Sequence, residues 1–421
     1  MNDSLNIIAH EQAVTAANYD PLPVVLTEAR GVWATDVDGK RYLDMMSAYS
    51  AVSLGHGHPR ILKAMSEQAA RLAVTSRAYH TDVLGPFLAK LVALTGLDVA
   101  LPMNTGAEAV ETAIKAARRW GYRRKGIAVD QAEILVAENN FHGRTTAIVG
   151  FSSDASYREG FGPFPGGFKR VPFGDAEAMT RAVTDRTCAV LVEPIQGEAG
   201  IVLPPEGYLK DLRTLCDKRN LLLLLDEVQS GLGRTGRWFA HQHEEIRPDG
   251  LILGKALGGG VYPVSALVGT RDLMEVFGPG SHGSTFGGNP LAARIGLEAL
   301  AVIEDEGLVQ RSAELGAYLL ERLRAMRSNV VVDVRGRGLW VGVEIDPSAA
   351  SARSLCDNLL REGVLSKDTH GTVLRFAPPL TITRDEIDWA MERIEKVFAQ
   401  LPDPHASHAQ VSPAQASHAQ A

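Results

Sequence analysis

The sequence predicts an α/β fold, with a mostly parallel sheet covered by helices on both faces and a smaller α+β domain behind it. Three observations carry that expectation. Short, wholly apolar runs at 134–136, 189–192, 221–225 and 251–253 are separated by helix-length segments, the pattern of strands buried on both faces. Two of these runs end on reactive side chains, Asp226-Glu227 and Gly254-Lys255. In open α/β folds the carboxyl ends of the strands are where ligands bind. Beyond residue 289 the pattern changes to a long helical stretch reaching 325, strands at 330–334, 339–344 and 373–376, and a closing helix over 384–401.

Taken in chain order, residues 1–58 read as an extended opening segment. Its clearest element is a hairpin over 31–44, alternating around Asp38-Gly39, a strong turn signal between strands. Residues 59–289 form the expected large domain and 290–401 the small one. The tail, 402–421, repeats Ala-Ser-His-Ala-Gln at 406–410 and 416–420; without large apolar residues it is expected to be disordered. With 421 residues, 45% of them hydrophobic and 22% charged, the chain has the composition of an ordinary soluble globular protein. A formal net charge of −7 argues against a nucleic-acid or anionic-membrane partner. Cys188, Cys216 and Cys356 are scattered with no CxxC pair, which suits free thiols in a reducing compartment. Residues 1–11 carry acids and no arginine, unlike a signal or transit peptide. The expected location is the cytoplasm.

Several short motifs have both a chemical and a plain reading. Gly231-Leu232-Gly233-Arg234-Thr235-Gly236 matches GxGxxG, but it does not directly follow the strand and has no acid about twenty residues on, so a turn-rich loop is expected instead. Thr105 and Glu108 have the spacing of a capping box and open a helical stretch to about residue 119. Gly106 and Ala107 leave its first-turn N–H groups uncluttered, as an anion site requires, though many helix starts bind nothing. Phe141-His142-Gly143-Arg144 follows the strand at 134–136; Phe141 can stack on a planar ring and Arg144 can fork onto a carboxylate. The plain alternative is a core aromatic beside a surface arginine. Arg375 stands among apolar neighbours, either on an exposed strand face or buried against an acid. His56, His58, His241 and His243 have no convincing set of metal partners and read as turn or surface residues.

Lys255 is the most informative position. It ends an apolar run and is followed at once by a glycine-rich stretch. A lysine in such a site tends to lose its proton and become a nucleophile toward aldehydes. An aldehyde cofactor carried on a lysine, with an aspartate such as Asp226 on its ring nitrogen, is the pyridoxal phosphate arrangement. A solvated lysine after a strand is the alternative.

Taken together, these stretches resemble the class III, fold-type I pyridoxal-phosphate-dependent aminotransferases over about residues 19–401. Further landmarks are Asn18-Tyr19-Asp20-Pro21-Leu22-Pro23, Ser47-Ala48-Tyr49-Ser50-Ala51-Val52, Glu193-Pro194-Ile195-Gln196-Gly197-Glu198 and Ser284-Thr285-Phe286-Gly287-Gly288-Asn289-Pro290. The resemblance implies a seven-stranded, mostly parallel sheet in the large domain, pyridoxal 5'-phosphate as cofactor, and a homodimer, or an assembly of such dimers, with shared active sites. It implies transfer of the δ-amino group of L-ornithine to 2-oxoglutarate, giving glutamate and a semialdehyde that cyclises to pyrroline carboxylate. N-acetylornithine and 4-aminobutyrate are the substrates of sister enzymes. In this reading Lys255 carries the cofactor and shuttles the proton, Asp226 pairs with the ring nitrogen and Gln229 meets the phenolic oxygen. Phe141 and Val228 sandwich the ring. Gly106 and Ala107 hold the phosphate, with Thr285 reaching in from the second subunit. Tyr19 and Arg144 fix the α end of ornithine and Tyr49 lines the pocket. Because one site must take both substrates, Glu198 is expected to neutralise Arg375 until 2-oxoglutarate displaces it; an exposed loop acid with no partner is the alternative. The histidine at 142, a tryptophan in some relatives, is expected to matter little. The non-basic N-terminus departs from that of mitochondrial members.

Overall fold

The computed structural model describes residues 3–326 and 328–401; the tail expected to be disordered lies outside them. A seven-stranded sheet forms the centre. Its spatial order is Val99–Met103, Ser265–Gly269, Gly250–Leu253, Leu222–Asp226, Thr187–Val192, Glu133–Ala137 and Phe168–Val171. Only Ser265–Gly269 runs against its neighbours. The four apolar runs read from the sequence are four adjacent strands among the five inner ones. The three others were less legible, because Phe168–Val171 is a mixed-polarity edge and Val99–Met103 contains a proline that suits an edge.

Leu222–Asp226 is buried along its whole length, as a strand covered on both faces must be. Asp226 stands opposite Ile252 in the neighbouring parallel strand. The carboxyl ends of these two strands therefore meet at one edge, and Asp226 and Lys255 arrive together, as the sequence suggested.

The hairpin forms between Trp33–Asp36 and Arg41–Asp44, with Gly39 at a φ of 85° in the turn. It belongs to a four-stranded sheet completed by Leu26–Arg30 and by Val364–Leu365 from near the other end of the chain. The second small sheet is antiparallel, in the order Val331–Gly336, Val341–Ile345, Val373–Phe376, Lys367–Thr369.

Two local expectations change. The opening segment is not extended throughout: Asp3–Val14 is a helix, and its sequence lacks the alternation a strand requires. The long helical stretch is two helices, Pro290–Asp305 and Leu308–Ala325. Gly307, at a φ of 60°, takes the left-handed conformation that ends the first and starts the second.

Candidate active site

The rear of the site is built from strand ends. Asp226 Oδ1 accepts the Val228 N–H at 3.0 Å, and Oδ2 lies 2.7 Å from His142 Nδ1. Both side chains are buried. Burial alone would strip the His142 proton, but the hydrogen bond and charge of Asp226, helped by Glu193, outweigh it and hold the ring above the ordinary histidine range. Nδ1 is thus the donor, while Nε2 has no partner among the described residues. The side chain expected to matter little fixes one oxygen of the carboxylate.

Glu193, just after Thr187–Val192, accepts the backbone N–H of Phe141 at 2.9 Å and of Gly197 at 3.4 Å. Burial pushes its pKa up to about 7, with His142 opposing and Asp226 adding to the rise. One carboxyl therefore ties the Phe141 loop to the loop that carries Glu198.

Lys255 follows Gly250–Leu253 and sits at a φ of 45°, a strained conformation for a residue with a side chain. Burial draws its amine below the ordinary lysine range, against the pull of Glu198 and Asp226. Glycines leave the space around it. A Cβ at Gly106 would lie 3.0 Å from Val228 Cγ1, and one at Gly254 would lie 3.2 Å from the same atom. The helix Gly106–Trp120 opens with the expected capping box, Thr105 and Glu108 bonding each other's backbone N–H. The N–H groups of Gly106 and Ala107 find no acceptor among the described residues.

The front of the site comes from elsewhere in the chain. Arg375, buried in Val373–Phe376, places Nη1 3.0 Å from Glu198 Oε1, and its guanidinium lies 5.0 Å from the centre of the Tyr49 ring. Burial pushes the Glu198 carboxyl up, but Arg375, Lys255 and the Gln229 amide together hold it below its usual value. Gln229 Nε2 donates to the Tyr49 carbonyl at 3.2 Å and to Glu198 Oε1 at 3.5 Å. The arrangement needs glycine at 197, where a Cβ would sit 1.7 Å from Gln229 Oε1 and 2.7 Å from Trp340. Tyr49 rides on an unusual turn: Ser47, Ala48, Tyr49 and Ser50 have φ of 43°, 46°, 58° and 74°. Left-handed helical backbone costs L-residues roughly 1–2 kcal/mol each, so this turn is held from outside.

Of the residues expected in the site, Gly106, Ala107, Phe141, Glu198, Asp226, Val228, Gln229 and Lys255 line one cavity, with Arg375 and Tyr49 in contact with its Glu198–Gln229 wall. Arg144 is exposed and lies 5.7 Å from the Phe141 ring and 3.9 Å from that of Tyr157. Tyr157, edge-on to Phe141 at 6.1 Å, was not anticipated, and no motif marks it. Tyr19 and Thr285 are exposed and do not line the cavity within their own chain. Among the histidines read as turn or surface residues, His241 is buried with Nδ1 2.8 Å from Glu227 Oε1, and His56 Nε2 lies 2.8 Å from Asp44 Oδ2. No group of three or more metal-ligating side chains occurs among the described residues. The GxGxxG stretch is a loop whose Arg234 is fully buried; its Nη1 donates to the carbonyls of Leu339 (2.9 Å) and Pro378 (2.6 Å), and its Nη2 to Ser47 Oγ (3.1 Å) and Ser53 Oγ (2.8 Å).

Residues 14–398 match the family model described as aminotransferase class-III. An ornithine aminotransferase from Geobacillus sp. (strain WCH70) is 56% identical over 399 residues, covering 95% of this chain and 100% of the relative. Among solved structures, an ornithine aminotransferase from Toxoplasma gondii, crystallised with oxidised glutathione and described as showing partial occupancy of PLP at its active site, superposes with a TM-score of 0.93. It is 43% identical and covers 94% of each chain. An acetylornithine aminotransferase from Elizabethkingia anophelis superposes at a TM-score of 0.86 with 44% identity, over 94% of this chain and 99% of that one.

Proposed function

The chain belongs to the class-III aminotransferases, and from that premise we propose that it transfers the δ-amino group of L-ornithine to 2-oxoglutarate with pyridoxal 5'-phosphate as cofactor. The products are glutamate and glutamate 5-semialdehyde, which cyclises. The observation that carries the substrate assignment is the buried Arg375–Glu198 pair beside Lys255, together with relatives above half identity that bear the name ornithine aminotransferase.

The residues fit the cofactor. A glycine-framed cavity holds a lysine with a depressed pKa, a carboxylate fixed by two hydrogen bonds, and a helix start with two unclaimed N–H groups. When bound, pyridoxal 5'-phosphate supplies an electrophilic carbonyl carbon and a conjugated cationic ring that stores the electrons of a broken C–H bond. Gly106 and Ala107 would hold the phosphate at the helix N-terminus. Phe141 and Val228 would cover the ring faces, Gln229 would meet the phenolic oxygen, and Asp226 would keep the ring nitrogen protonated by its charge. Lys255 Nζ, whose burial draws its pKa below the ordinary lysine range, would anchor the cofactor and move the proton at the substrate carbon.

Arg375 and Glu198 answer a problem of two substrates in one site. 2-Oxoglutarate brings a carboxylate next to the reacting carbon, and Arg375 would bind it after releasing Glu198. The δ end of ornithine brings no carboxylate, and a bare buried guanidinium there would be costly; Glu198 neutralises it. Tyr19 and Arg144 would take the α end of ornithine, with Tyr49 on the pocket wall. Thr285, outside the cavity of its own chain, would complete the phosphate site of a second copy in a homodimer.

Purified protein should be yellow, and borohydride should fix the cofactor to the peptide containing Lys255. A parallel assay of L-ornithine, N-acetylornithine and 4-aminobutyrate should give the highest kcat/KM with ornithine. The acetylornithine aminotransferase at 44% identity keeps N-acetylornithine as the second reading, and a higher kcat/KM on that amine would install it.

A further inference from the structure

The turn at 47–50 holds four consecutive non-glycine residues at positive φ, and its own hydrogen bonds are few. Tyr49 N–H reaches Met46 O at 3.1 Å, Ala51 N–H reaches Ala48 O at 3.1 Å, and Val52 N–H reaches Ser47 O at 2.9 Å. The rest of its support comes from side chains. Asp44 Oδ1 accepts the N–H groups of Met46 and Ser47. Ser47 Oγ donates to the Ala377 carbonyl at 2.6 Å, and Ser53 Oγ donates to the Ser50 carbonyl at 2.8 Å. Both hydroxyl protons are therefore committed, and both oxygens accept from one atom, Nη2 of Arg234. The first serine starts the turn; the second holds its last carbonyl.

The other arm of the same guanidinium bonds the carbonyls of Leu339 and Pro378. Pro378 lies two residues beyond Phe376, the end of the strand that carries Arg375. One planar cation thus ties the two ends of the Tyr49 turn to the chain just past Arg375. The ring of Tyr49 faces that arginine at 5.0 Å. Among the described residues no carboxylate bonds Arg234; burial pulls its pKa down to about 9 against the pull of the Asp44 charge, and the hydrogen bonds that hold its guanidinium go to neutral acceptors. A lysine has three donors in a cone and cannot reproduce four bonds from a flat fork.

We propose that Arg234 is a positioning residue that locks residues 47–50 in their left-handed turn, and thereby keeps Tyr49 over Arg375 so that the site favours the δ end of ornithine over an α-amino acid end. The inference rests on the proposed reaction. With the lock cut, the turn relaxes toward negative φ, Tyr49 leaves Arg375, and its carbonyl no longer holds the Gln229 amide against Glu198, so Glu198 gives up Arg375 more readily to a carboxylate in the half-reaction that starts from the amino donor.

Two measurements on the full-length holoenzyme decide it. The first needs no substrate. Replacing Ala48 and Ser50 together by glycine should raise the melting temperature by about 1–3 °C, because glycine takes positive φ without strain. In a Ser53→Ala background that gain should fall by half or more, since the turn is then free to relax. A loss in both backgrounds, as for an ordinary residue-to-glycine change, overturns the lock. The second reads single-turnover rates of the two amino donors, L-ornithine and L-glutamate. Ser53→Ala and Arg234→Lys should each raise the rate with glutamate relative to ornithine by about 5–10-fold. An unchanged ratio with the melting result as expected overturns the specificity role and leaves a structural clamp. If the unaltered enzyme fails to react with ornithine, the proposed function fails, and the melting experiment still decides the lock. Should Arg234→Lys not fold, Ser53→Ala carries both arms.

Discussion

The rear and front of the cavity are built on different principles. The rear wall consists of Asp226, His142, Glu193 and Lys255, at the ends of four neighbouring parallel strands or in the loops that follow them. Asp226, His142 and Glu193 are buried and held through short bonds, 2.7 Å from His142 to Asp226 and 2.9 Å from Phe141 to Glu193, with Lys255 half-buried beside them. The front consists of Glu198 in the cavity wall with Tyr49 and Arg375 packed against it, and of Arg144 and Tyr157 beside Phe141, drawn from three distant parts of the chain. It is held by an ion pair, ring contacts with guanidinium groups and a single glutamine amide. A rigid sheet edge suits a group that never leaves, whereas exchangeable contacts suit two substrates that alternate. The position of each wall in the fold thus anticipates how often its contacts must break.

That contrast can be broken by experiment, most sharply at the rear. Lys255→Ala should lower steady-state turnover by 10³-fold or more, on the order of what loss of an attacking or proton-transferring group costs. Retention of a tenth of the activity would show that the rear wall is not the reacting side. His142→Phe removes one of the two donors to Asp226 and should slow both half-reactions together, by about 10–100-fold, in keeping with a lost charge-assisted hydrogen bond at a preorganised site. If only one half-reaction slows, the division between the walls is misdrawn. At the front the effects should be smaller and unequal. Glu198→Ala should slow the ornithine half-reaction and speed the glutamate one, changing their ratio by about tenfold, and Arg375→Ala should chiefly damage the 2-oxoglutarate side. Stopped-flow measurements of cofactor absorbance separate these cases, and an unchanged ratio would mean that Glu198 and Arg375 do not act as a switch.

A further effect concerns stability rather than rate. Glu193 has its pKa raised from 4.5 to about 7, so the folded protein binds a proton that the unfolded chain has released. Its stabilising contribution is complete below about pH 4.5 and is lost as pH rises to about 7, by up to roughly 3 kcal/mol. Glu193→Gln should remove that slope. Thermal melts from pH 5 to pH 8 should show the variant gaining on the parent as pH rises, and parallel curves would mean that Glu193 is ionised throughout.

Half of the rear wall, Asp226 and Lys255, was legible in the sequence, because it follows from local rules. An apolar run forms a buried strand, and whatever ends it arrives at the sheet edge; Asp226 and Lys255 needed no more than that. Thr105 and Glu108 declared their helix start by spacing alone. The contact of His142 with Asp226 was not foreseen because its partner lies 84 residues away, which no local pattern reveals. Tyr157 lies next to Arg144 only after the chain folds back between them. The left-handed turn at 47–50 was invisible for a different reason: Ser, Ala, Tyr and Ser carry no preference for positive φ, and the groups that impose it come from residues 44, 53, 229 and 234 and from beyond 330. The front wall was assembled in advance from family likeness rather than from physics, and the Arg375–Glu198 pair is the part for which the fold now supplies the geometry.

The small sheet that joins the two ends of the chain has a consequence for synthesis. Residues 26–44 leave the ribosome early with Leu43 and Asp44 on an open edge, and the strand that pairs with them, Val364–Leu365, is made some 320 residues later. At roughly 5–20 residues per second the edge waits from about a quarter of a minute to a minute before it can close. Unpaired strand edges recruit other chains. A nascent chain stalled anywhere between the large sheet and residue 364 would carry that edge without its partner strand, and the strand that carries Arg375 comes later still, so the edge and the active site are completed together.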